Sequence, residues 1–170
     1  MLFPYIDENT NAVVQQKMTP NQVPLTPGQV AQTYALLSAE MSVPLEQEHA
    51  MAVRRTLVAL HYGMRTAAYT VVYFRKMCRR SPQETRGIMT SAVWMLAAVV
   101  CAIIADKMVD DAFLTMGEWA EFLGIEADKL CEVERQMLGR MARLGMLHVT
   151  GAEVARVMAE IDPTSPLLVD

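Results

Sequence analysis

Two charged residues stand where an apolar surface is expected. Between residues 126 and 144, Leu130, Val133, Met137, Leu138, Met141 and Leu144 share one face at helical spacing, with Glu132, Gln136, Arg140 and Arg143 opposite. Glu134 falls inside the apolar stripe. A carboxylate so placed must find a cation or hydrogen-bond donor, or take up a proton. Lys107 has the complementary problem, ending the most apolar run in the chain. The two can pair with each other, Lys107 can reach out to water along its own stem, or both can await a partner protein. Other reactive residues form no recognisable constellation. His49, His61 and His148 lack metal-ligand spacing to one another or to Cys78, Cys101 and Cys131. No nucleophile elbow, phosphate-cradling glycine loop or metal-binding helix motif occurs. Arg75-Lys76-Met77-Cys78-Arg79-Arg80 could grip phosphate, although cations are also favoured at a helix C-terminus by the macrodipole. No enzyme chemistry, metal or cofactor is therefore expected.

The elements that position these residues are helical. Hydrophobic residues make up 52% of the 170 and charged residues 20%, which excludes a disordered chain and leaves room for one buried core. Fourteen methionines, with abundant Ala and Leu, favour helix over sheet. The three cysteines form no CxxC pair and read as reduced thiols rather than a disulfide framework. A formal charge of −4 gives no reason to expect nucleic acid as the main partner. The first residues, Met1 to Asn9, show no secretory pattern, so an intracellular location in nucleus or cytoplasm is expected.

Ser or Thr is followed three residues later by Glu or Gln at Thr26–Gln29, Ser81–Glu84, Thr115–Glu118 and Thr150–Glu153, the pattern of a capping box opening a helix. Thr26 and Ser81 also precede proline, which suits the first helical position. These starts predict helices over about 27–41, 45–79 (divided near Gly63), 82–109, 116–123, 126–144 and 151–161. Residues 1–25 read as an arm and those after Pro163 as a tail. Residues 87–105 carry no charge, and such a helix would span roughly 28 Å, about a bilayer core. A helix apolar all round can equally be the central helix of a bundle, and that reading is adopted here.

The run from Ala105 to Leu138 resembles the cyclin box, most closely that of the phosphate-pathway, or P/U-type, cyclins. The residues carrying the resemblance are Ala105-Asp106-Lys107 with Asp110-Asp111, Glu118-Trp119-Ala120, Gly124-Ile125, Leu130-Cys131-Glu132-Val133-Glu134 and Met137-Leu138. Leu147-His148-Val149-Thr150 resembles the family's exit into a short final helix, and Tyr73-Phe74-Arg75-Lys76-Met77 the end of its second helix. Arg75 stands where the family carries Asp. The resemblance implies an all-α fold: a single five-helix cyclin box over 44–162, an arm and additional N-terminal helix over 1–43, and a tail over 163–170. It implies a regulatory subunit, monomeric when free, that binds and allosterically activates a cyclin-dependent protein kinase, with neither nucleic acid nor membrane as a partner. It assigns kinase binding to Lys107 and Glu134, with Met108 and Phe113 supplying apolar surface nearby. The alternative is an all-helical adaptor with a cyclin-like box that binds no kinase.

Overall fold

The computed structural model describes residues 23–60, 63–109 and 114–164. These residues form eight helices and no strand: α1 (Pro27–Ser38), α2 (Gln47–Val58), α3 (Gly63–Arg80), α4 (Gln83–Gly87), α5 (Ser91–Val109), α6 (Met116–Leu123), α7 (Ala127–Arg143) and α8 (Gly151–Ile161). The all-helical expectation holds.

Three of the four proposed caps form. Thr26, Thr115 and Thr150 each accept from the backbone amide three residues on, while Gln29, Glu118 and Glu153 reach back to the cap's own amide. The fourth does not. Ser81 Oγ donates to the Met77 carbonyl at 2.8 Å, because the residue still belongs to the end of α3. Its hydroxyl is already engaged there, and α4 begins after Pro82 without a side-chain cap.

The predicted helix over 82–109 is likewise two helices. Gly87 ends α4, and Thr90 Oγ1 accepts from the Val93 amide at 3.4 Å as the chain restarts in α5. Low helix propensity at Gly87, Ile88 and Thr90 accounts for the break. Gly124 and Gly145, both at φ 65°, end α6 and α7 in the left-handed conformation that glycine adopts without strain.

The division at Gly63 has a packing cause as well. A Cβ there would lie 2.2 Å from the Val23 carbonyl oxygen, so the strand of chain leading into α1 crosses directly over the start of α3. No residue with a side chain fits beneath that crossing.

The apolar helix α5 is the core. From Trp94 to Asp106 every residue except Leu96 is buried, with α3, α2 and α7 packed around it. By length and composition α5 could cross a membrane, yet 67% of its apolar window is buried inside the protein. Its lack of a polar face follows from being wrapped on all sides. α3 supplies the second layer, contacting α8 and α1 on its other flank. Tyr73 and Phe74 are fully buried there, and Phe74 meets Trp94 of α5 with ring centroids 5.9 Å apart. Trp119 of α6 is fully buried and packs edge-on against Phe122 at 5.9 Å.

Candidate functional site

α5 and α7 bring together the two residues that the sequence leaves out of place. Lys107, in the last turn of α5, donates from Nζ to Glu134 Oε1 at 2.6 Å. The lysine side chain is 24% exposed and the glutamate 14%, so the ion pair is half-buried and still opens to the surface. The cation also lies at a helix C-terminus, where the macrodipole favours it. Glu134 makes no second hydrogen bond among the described residues. Internal pairing is thus realised.

The surroundings of the pair are apolar and incompletely covered. Met108, adjacent to Lys107, is 56% exposed, and Leu138, one turn along from Glu134, is 37% exposed. The stripe predicted along α7 is only partly buried. Leu130 and Met141 are fully enclosed near its two ends, Val133 and Met137 are half-buried, and Leu138 and Leu144 face outward. α7 rests on α6 and on α5, and these neighbours cover less of the stripe than its width. Phe113, together with Asp110 and Asp111, lies outside the described residues.

Arg75 is the centre of an ion-pair network that joins three stretches of the chain. Its guanidinium donates from Nη1 to Glu160 Oε1 at 3.0 Å and from Nη2 to Glu160 Oε2 at 2.7 Å, the two-bond geometry that arginine and carboxylate favour. Its Nε lies 3.3 Å from Glu40 Oε1. The hydrogen bonds from Arg75 hold the Glu160 carboxyl below its ordinary range, and Glu160 in turn raises the arginine. Sequence reasoning missed this network, because its members lie 35 and 85 residues apart.

The remaining reactive groups are scattered through the fold. Burial pushes the Cys78 thiol up to about 12 and raises Cys101 as well, so both stay protonated, while Cys131 is exposed. Burial also lifts the Tyr73 phenol to about 12. His49 Nδ1 lies 2.7 Å from Ser91 Oγ, which also accepts from the Glu46 amide at 2.8 Å. Glu46 approaches the same ring nitrogen at 3.9 Å. A nucleophile-activating triad puts serine and acid on opposite ring nitrogens, so this knot ties α2 to α5 without forming a relay. It lies beside a cleft of about 640 Å³ floored by Met95, Leu96, Ile125 and Leu130. His148 is exposed and His61 lies outside the described residues. No cluster of His, Cys, Asp or Glu able to hold a metal occurs among the described residues. The chain matches no protein-family model, no curated protein and no solved structure at a significant level.

Proposed function

We propose that this chain is a cyclin, the regulatory subunit that binds and allosterically activates a cyclin-dependent protein kinase. The observation that supports the reading most is the Lys107–Glu134 pair, half-buried between α5 and α7 and edged by the exposed Met108 and Leu138. An ion pair set into an apolar, incompletely covered surface offers a partner both directional bonds and area to bury. In this reading α2, α3, α5, α6 and α7 are the five helices of the box. α1 is the additional N-terminal helix, and α8 closes the far flank of α3.

The mechanism that follows is a shift of populations. The surface around Lys107 and Glu134, extended by Met108, grips the kinase beside its regulatory helix. It holds that helix where the kinase's own Lys–Glu pair can form. Activation then equals the chain's preference for active over inactive kinase. The chain itself contributes no catalytic group. Affinity purification from cells, followed by a phosphorylation assay with and without the chain, tests this. A co-purifying kinase whose activity requires the chain is the expected result. Recovery of partners with no kinase among them would favour the adaptor reading.

A further inference from the structure

The basic run at the end of α3 has a second use that is independent of kinase binding. α3 and α8 lie side by side, and a notch of about 80 Å³ opens between them. Val72 and Val157 form its apolar floor, Arg75, Lys76 and Arg79 line one wall, and Glu153 and Arg156 line the other.

These cations are not equivalent. Arg75 is held by Glu160 and Glu40. Lys76 pairs with Glu153 at 3.0 Å and donates to the His148 carbonyl at 2.5 Å. Arg79 and Arg156 are exposed and make no hydrogen bond or ion pair among the described residues. Glu40, Glu153 and Glu160 are thus bonded by the two inner cations, while Arg156 reaches Glu160 only through its longer-range charge. The positive charge left over belongs to the two arginines on opposite walls.

Guanidinium groups recognise phosphate through paired N–H donors. A phosphoryl group carries close to two negative charges and three strong acceptor oxygens. The notch, of about 80 Å³, is large enough to seat phosphoryl oxygens where ordered water would otherwise lie. We propose that Arg79 and Arg156 clamp a single phosphoryl group over the notch, either as free phosphate or on a phosphorylated side chain. Arg75 and Lys76, immobilised by their carboxylates, supply a fixed positive background, so binding requires little ordering beyond the two arginines.

The full chain, titrated with inorganic phosphate at constant ionic strength balanced by chloride, tests the site by calorimetry. Saturable binding is expected, weakened about tenfold or more by Arg79→Gln and by Arg156→Gln. Both side chains are exposed, so melting curves of the variants should match wild type. A phosphoserine peptide binding tenfold more tightly than inorganic phosphate identifies a phosphorylated side chain as the source, and equal affinity identifies the free ion. Either result supports the site if both arginines are required. Absence of phosphate binding by wild type, or undiminished binding by both variants, overturns it.

Discussion

Arg75 connects three stretches of chain: its own helix, Glu40 just after α1, and Glu160 near the end of α8. The pair is only partly shielded, with Arg75 19% and Glu160 33% exposed, so its contribution lies between that of buried and surface ion pairs. Glu160→Gln should cost about 1–2 kcal/mol near neutral pH. The folded-state pKa of Glu160 is depressed. Its stabilisation is therefore complete above the ordinary carboxylate value and fades as the pH falls through the lowered one. Urea titrations from about pH 7 down to pH 3 should show the variant losing less stability on acidification than wild type. Parallel losses would mean that the pair contributes nothing to acid sensitivity. Trp119, fully buried against Phe122, sets the residue scale for packing. Trp119→Ala should cost about 3–5 kcal/mol in chemical denaturation. A loss below about 1 kcal/mol would place this tryptophan outside the cooperative core.

At the scale of elements, local chemistry explains what could be read from sequence and what could not. The caps at Thr26, Thr115 and Thr150 are contained within four residues each, and so they are legible without tertiary information. Ser81 carries the same signature but remains in the turn that ends α3, a competition that only the folded chain resolves. The break between α4 and α5 was hidden by the uncharged run, whose lack of charge says nothing about its continuity; the break itself, at Gly87, Ile88 and Thr90, is exposed. The opposition of Lys107 and Glu134 was legible because both violate the pattern of their own helices, whereas the Arg75 network joins residues that look ordinary in sequence. The same limit applies at Gly63. Sequence marks a helix boundary there, while the crossing by residues 23–25 makes the glycine obligatory. Gly63→Ala adds a Cβ 2.2 Å from backbone at a φ of +26°, so neither partner can yield by a rotamer change. A loss of about 2–4 kcal/mol is expected in thermal or chemical unfolding. Stability equal to wild type would show that the crossing is not held in solution.

For the whole molecule, the organising feature is an apolar helix wrapped by its neighbours and a polar pair left at its exposed end. The wrapping predicts that the purified chain stays in solution without detergent, sediments as a monomer and gives a strongly helical circular dichroism spectrum. Solubility only in detergent would mean that lipid covers α5 instead of α2, α3 and α7. The exposed end carries the functional claim, and the ion pair itself complicates a simple truncation. Lys107→Ala or Glu134→Ala breaks a half-buried charge-assisted hydrogen bond, so each lowers stability whether or not a kinase binds there. The exchange Lys107→Glu with Glu134→Lys separates the two roles. It rebuilds the pair inside the chain and inverts the charges presented to a partner. The decisive measurement is a binding titration of whatever protein kinase co-purifies with the chain against wild type, both alanine variants and the exchanged double variant, with melting curves alongside. Cyclin function through this site predicts that the exchange recovers most of the lost melting temperature while binding stays weakened by about 2–5 kcal/mol. Wild-type affinity in the exchanged variant would contradict it and leave Lys107 and Glu134 as a purely structural pair.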